Sequence, residues 1–186
     1  MVSLPLLVFL GSIVVLIIWF FSVYNQLVGL NQNVKNGWSQ IDVQLKRRHD
    51  LIPNLVEAAK GYLTHERETL EKVVKARQQA VSASGMKSKQ EAENFLTQTL
   101  RSLFAVFENY PNLKADQHLL KLQEELTSTE KKIAFARQYY NDETSRFNTA
   151  VQSIPNNLVA GIGQFRPYEF FEIEDASQRQ VPTVKF

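Results

Sequence analysis

From Val34 onward, apolar side chains recur in steps of three and four: Val34, Trp38, Ile41, Leu45, Ile52, Leu55, Ala59 and Leu63, with one gap, filled by Arg48, and a final step of four. A 3.6-residue period brings such positions onto one face, so the stretch predicts a long amphipathic helix. Pro53 has no amide hydrogen and clashes with the preceding turn, so the helix is expected to bend there or to restart with Asp50 as its cap. The unbroken phase of the pattern favours a bend. A second stripe, Leu70, Val73, Val74, Ala76 and Ala80, carries the helix to about Ala83, where the segment SASG ends it and Gly85 supplies a turn. Ser88 and Glu91 have capping-box spacing ahead of a strongly apolar helix through Ala92, Phe95, Leu96, Leu100, Leu103, Phe104 and Phe107, which Pro111 stops.

The last helix starts at Asp116. Its stripe runs Leu119, Leu122, Leu126, Ile133, Ala136, Tyr140, Phe147, Ala150 and Ile154, interrupted only by Thr129 and Glu143, before Pro155 breaks it. That is about five heptads, roughly 50 Å of helix. The tail, residues 155–186, is punctuated by Asn, Gly and Pro and reads as irregular, with an aromatic-acidic patch, PYEFFEIED, at 167–175.

The N-terminal stretch has a different pattern. No Lys, Arg, Asp, Glu or His occurs in the first 34 residues, and residues 4–24 read LPLLVFLGSIVVLIIWFFSVY. A helix of roughly 20 apolar residues crosses the hydrocarbon layer of a bilayer, so this is a transmembrane helix. Trp19 and Tyr24 fall at its C-terminal end, where amphipathic rings favour the headgroup level, and no A-x-A cleavage site follows. The chain therefore divides into a short flank (1–3), a transmembrane helix (4–24), a helical domain (25–154) and a tail (155–186). The fold class is all-α, with the membrane helix followed by an antiparallel bundle of long helices whose stripes bury against one another. Lys35 and then Lys46, Arg47 and Arg48 are the first basic side chains beyond the span. By the positive-inside rule the C-terminal domain is expected in the cytoplasm and the N-terminus outside.

Composition narrows the functions. With 21 basic and 19 acidic residues the net charge is +2, too balanced for a protein that binds nucleic acid by neutralising phosphates. The absence of cysteine excludes disulfides, thiolate metal sites and a cysteine nucleophile. HERET at 65–69 falls one histidine short of the zinc-protease pattern, because Thr69 stands where the second ligand belongs. His49, His65 and His118 have no partners at ligand spacing, and Gly161 and Gly163 make a lone G-x-G after no strand. No catalytic, cofactor-binding or metal-binding residue is assigned, and no enzymatic activity is expected.

The segment KRRHDLIP, residues 46–53, is the densest polar interruption of the first helix. At 1.5 Å per residue Lys46 lies roughly 33 Å beyond Tyr24, several times the ~8 Å screening length, so these cations are not a lipid contact. Lys46, Arg47 and His49 fall outside the apolar seam, whereas Arg48 lands on it and must snorkel or meet an acid. The reading is a hinge with a charged clamp, formed by Lys46, Arg47, Arg48, Asp50 and Pro53, answered by acids such as Glu172, Glu174 and Asp175. The tail around Tyr168, Phe170, Phe171, Glu172, Glu174 and Asp175 is the candidate docking peptide, although its aromatics would equally close the end of the bundle.

YNQLV at 24–28, Trp38, QLKRRHDLIPNLV at 44–56, KGY at 60–62, HE at 65–66, YPNLKA at 110–115 and TEKKIAFARQYYN at 129–141 together resemble the LemA family in content and order. Phe147-Asn148 and Ile154-Pro155 are near variants of Tyr-Asn and Phe-Pro in that pattern. The resemblance implies a single-pass bacterial inner-membrane protein with a helical-bundle domain, no established enzymatic activity and no settled molecular function. The expectation is a membrane-anchored scaffold that forms homo-oligomers and organises membrane or membrane proteins. An adaptor holding another membrane protein through the helical domain or the tail comes second, and an enzyme last. The expected partners are the lipid bilayer through residues 4–24, further copies of the chain, and another membrane protein, with no nucleic acid.

Overall fold

In a computed structural model, which describes residues 4–63 and 65–171, the chain folds into six helices, with no strand among the described residues. They are α1 (Leu4–Lys60), α2 (Arg67–Ser82), α3 (Met86–Phe107), α4 (Pro111–Lys114), α5 (Gln117–Gln152) and α6 (Asn156–Ile162). α1 is long and apolar enough at its N-terminal end to cross a membrane. It stays helical through the exposed Pro53, so neither a break nor a restart capped by Asp50 occurs there.

Two compact units can be distinguished. The first contains the chain up to Ile41 and Ala136–Phe170. Within it α1 and the second half of α5 run antiparallel: Gly37 faces Tyr140, and Asn33 faces Glu143. A Cβ at Gly37 would come within 3.1 Å of the Tyr140 Cα, so the absent side chain is what lets the two backbones approach. Val23, Leu27, Val34, Ile41, Tyr140, Phe147 and Val151 are buried, as are Val159 and Ala160 of α6. Large apolar residues from Leu4 to Phe21, in contrast, are exposed on the surface of α1.

The second unit contains Asp42–Phe135 with Phe171. Its core is the predicted seam: Ile52, Leu55, Ala59 and Leu63 meet Leu70, Val73, Ala76 and Ala80 of α2, Leu96, Leu100, Leu103 and Phe107 of α3, and Leu119, Leu122 and Leu126 of α5. α2 packs along α3 through the turn at Gly85, whose φ of 83° belongs to the left-handed region that suits glycine.

Several boundaries differ from the expected ones. The first helical segment does not run on to Ala83 but stops at Lys60, and the chain turns before α2. The Tyr62 and Leu63 amides both donate to the Ala59 carbonyl at 3.0 Å, and the Tyr62 hydroxyl donates to Asp116 Oδ2 at 2.8 Å. Asp116 also caps α5, Oδ1 accepting from the His118 and Leu119 amides at 2.9 and 3.1 Å. The capping amide of Leu119 and the Tyr62 hydroxyl hold the Asp116 carboxyl below its ordinary range. α3 begins at Met86, so Ser88 sits inside its first turn and no side chain caps it. α5 ends at Gln152, leaving Ile154 exposed and Val151 buried in its place. The segment 156–162, expected to be irregular, is helical, because burying Val159 and Ala160 repays the ordering of its short turns.

Candidate functional site

The seam of α1 carries one polar residue, Arg48, and its side chain is fully buried. α3 carries its own interruption: Glu93 extends the Leu96, Leu100, Leu103 and Phe107 seam by one step and is also fully buried. The two side chains meet. Arg48 Nη2 donates to Glu93 Oε2, while Nη1 donates to Glu130 Oε2 of α5 at 2.6 Å and to Thr97 Oγ1 at 2.8 Å. His49 Nε2 lies 2.9 Å from the remaining Glu93 oxygen, Oε1. Arg77 Nε of α2 donates to the His49 carbonyl at 2.6 Å. Three helices of the second unit, α1, α3 and α5, thus converge on one guanidinium and one carboxylate, and α2 is tied to the backbone beside them.

Burial on its own would push the Glu93 carboxyl up, yet the hydrogen bond from His49 and the charge of Arg48 together hold it below the ordinary carboxylate range. Glu93 is therefore an anion in the core, held by the Arg48 guanidinium and the His49 ring, and Arg48 is a cation held between two acids. A buried, paired charge set of this kind is costly to break by removing one partner.

The acids that meet Arg48 come from α3 and α5. The tail acids named for this role, Glu172, Glu174 and Asp175, lie outside the described residues. The physical reason is proximity: Glu93 occupies the seam directly across from Arg48, and Glu130 follows Thr129, the seam interruption of α5. Lys46, Arg47, Asp50 and Pro53 are exposed and point away from this cluster.

A second polar cluster lies in the first unit, where the chain after α6 returns along α5. The Tyr168 amide donates to Asn148 Oδ1 at 2.8 Å, and Asn148 Nδ2 donates back to the Tyr168 carbonyl at 2.9 Å. The Tyr168 hydroxyl donates to Asn31 Oδ1 at 2.8 Å, its ring lies 5.4 Å from that of Phe147, and the Tyr140 hydroxyl donates to the Glu169 carbonyl at 2.9 Å. Asn33 Nδ2 donates to the buried Glu143, which also accepts from Arg146 at 2.8 Å. Tyr168 is thus strapped to the fold and Phe171 is buried, while Phe170 is half exposed. Asn31 did not stand out in the sequence and Asn148 did so only through the family pattern, because an asparagine on a helix carries no periodic signal.

The sequence model of the LemA family matches residues 37–186. The chain belongs to the LemA family. Protein LemA of Metamycoplasma hominis is 28% identical over 146 residues, covering 76% of this chain and 67% of that protein. Magnetosome protein MamQ 2 of Paramagnetospirillum magneticum is 23% identical over 198 aligned positions, covering 92% of this chain and 73% of that one. MamQ of Magnetospirillum gryphiswaldense is 22% identical, with 98% and 76% covered. The stretches that carry the LemA resemblance have visible work in the fold. KRRHDLIP supplies Arg48 and His49, KGY supplies the Tyr62 anchor of the first turn, and AFARQYYN supplies Tyr140 at the Gly37 crossing. The chain is a membrane-associated helical protein of this family.

Proposed function

We propose that this LemA-family chain is a membrane-anchored helical scaffold that self-associates and organises membrane or membrane proteins. The observation that carries the reading is the single helix α1, which begins as an apolar, exposed span and continues without interruption into the seam that holds Arg48. Anchor and domain are one element, a construction suited to setting position at a membrane surface. The two polar clusters serve the fold itself, one pairing Arg48 with Glu93 and the other strapping Tyr168. The names of the relatives, LemA and magnetosome protein MamQ, denote no reaction and agree with a non-enzymatic role. Lys35, just beyond the span, favours a cytoplasmic C-terminal domain by the positive-inside rule, with the N-terminus outside.

The test is the native mass of the full-length protein after gentle extraction, compared with the same domain begun at residue 35. A defined homo-oligomer supports the scaffold; a monomer at all concentrations overturns it. Orientation is read by labelling Gln138→Cys, an exposed position in a cysteine-free chain, with an impermeant thiol reagent. Labelling in intact cells would reverse the assignment.

A second reading is favoured by a cleft of about 640 Å³ in the second unit, between the end of α1 and α2. Val56, Leu63, Leu70 and Val74 form its floor, and Lys60, Arg67 and Lys75 lie at its edge. The rim also carries Glu71, paired with Arg67 at 3.3 Å, and a groove with an apolar floor and a mixed-charge rim suits an amphipathic helix, which is what an adaptor for another membrane protein would need. Co-purification of one stoichiometric membrane partner, lost in Val74→Asp at a solvent-accessible position of the cleft while helicity is retained, would support that reading.

A further inference from the structure

α6 and the turns on either side of it are too small to be a domain and too apolar to face water. Ile154, Leu158 and Ile162 are 84%, 65% and 71% exposed; Leu158 and Ile162, four apart, share one side of α6, away from the buried Val159 and Ala160, and Ile154 lies in the turn just before it. Three large aliphatic side chains presented together at the end of a bundle mark a contact surface.

The position of this surface follows from the first unit alone. The pairing of Gly37 with Tyr140 and of Asn33 with Glu143, carried antiparallel along both helices, brings the end of α5 level with Tyr24. Directly beyond α6, Phe165 packs its ring 5.6 Å from that of Tyr24. Burial along α1 changes at this level: Val23 and Leu27 are covered by protein, whereas the large apolar residues from Leu4 to Phe21 are not. A hydrocarbon layer of ~30 Å takes about 20 helical residues, so a span beginning near Leu4 emerges near Tyr24.

We propose that α6 is a membrane foot: the Ile154, Leu158 and Ile162 face inserts into the lipid interface beside the point where α1 leaves the bilayer, with the exposed Arg166 meeting anionic headgroups. The occupant is lipid, because the apolar face is continuous in level with the bare surface of α1 and lies next to its aromatic end. The foot gives the domain a second attachment and fixes its tilt against the bilayer, which a single spanning helix leaves free. It rests on residues 4–24 being in the membrane.

The full chain, with Leu158→Cys or Ile162→Cys carrying an environment-sensitive fluorophore, is reconstituted into phosphatidylcholine–phosphatidylglycerol vesicles and probed with nitroxide-bearing lipids and with aqueous iodide. Leu16→Cys is the control for the span, and Gln138→Cys, fourteen residues back from the end of α5, is the control for water. The expected result is several-fold stronger quenching by lipid nitroxide at 158 and 162 than at 138, with protection from iodide. Iodide quenching at 158 and 162 equal to that at 138, with Leu16 quenched by lipid, overturns the foot and leaves the anchor standing. Protection from both quenchers, with disulfide crosslinking between copies at 158, overturns it in favour of a second chain as the occupant. Failure of lipid quenching at Leu16 overturns the anchor itself.

Discussion

Replacing Arg48 with methionine keeps most of the buried volume and removes the charge. Its two acids then fare differently. Glu130 is 39% exposed on its side chain and can turn toward water, whereas Glu93 has no exposed surface and keeps only His49. Breaking a buried pair by removing one partner costs about 3–5 kcal/mol, and here nearly all of that cost belongs to Glu93. In a chain of this size each kcal/mol lowers the midpoint by about 2–4 °C, so Arg48→Met is expected to lose about 6–20 °C in thermal unfolding followed by circular dichroism. The companion Glu130→Gln should lose about 1 kcal/mol or less, since its carboxylate already meets solvent. Arg48→Met combined with Glu93→Leu should recover most of the loss, because two apolar groups can replace a buried pair at little cost. A double-mutant cycle with strictly additive losses, or an Arg48→Met protein within about 1 kcal/mol of the parent, would refute the idea that the cluster is energetically coupled.

Acid should act on the same pair: because the folded value of Glu93 lies below its ordinary 4.5, its contribution is fully present above about pH 4.5 and is lost as the pH falls through that lower value. Acid unfolding should therefore be less steep in Glu93→Gln, and the deficit of Arg48→Met should be largest at neutral pH; a deficit independent of pH would count against it. Gly37→Leu must push α1 and α5 apart at Tyr140, with an expected loss of about 1–3 kcal/mol in urea unfolding, and an unchanged midpoint would mean the helices do not approach as closely as 3.1 Å implies. Asn148→Ala removes both bonds to the Tyr168 backbone and is expected to cost about 1–3 kcal/mol and to expose residues 165–171 to limited proteolysis, whereas an unchanged cleavage pattern would show the strap is held elsewhere.

What could be read in advance follows the range over which each signal acts. Helical periodicity is local, so the seams of α1, α3 and α5 were legible, and Arg48 could be singled out because it alone breaks a long run of apolar steps. Glu93 carried the same signal but sits one step ahead of Leu96, at the edge of the seam, where an acid does not interrupt a run. Glu130 could not be found this way: it lies beside the seam position of Thr129, and only the reach of its side chain brings it to Arg48. The stop at Lys60 was hidden because Leu63 keeps the spacing of the seam after the backbone has left the helix. The Tyr168 strap joins residues twenty positions apart across α6, and no local pattern encodes such a return.

A seam of leucines alone has a weakness that the Arg48 cluster removes. Sliding one helix past another by seven residues returns leucine to leucine, so an all-apolar bundle has misfolded neighbours almost as favourable as itself. Here such a slip of α3 would leave Arg48 facing an aliphatic side chain and strand the Glu93 anion in hydrocarbon, turning a near tie into a large gap. The same logic binds α1 and α3 in evolution: a change at 48 or 93 is tolerated only with a compensating change at the other. Chimeras that exchange α3 between family members should assemble correctly only when the residues facing it are exchanged as well.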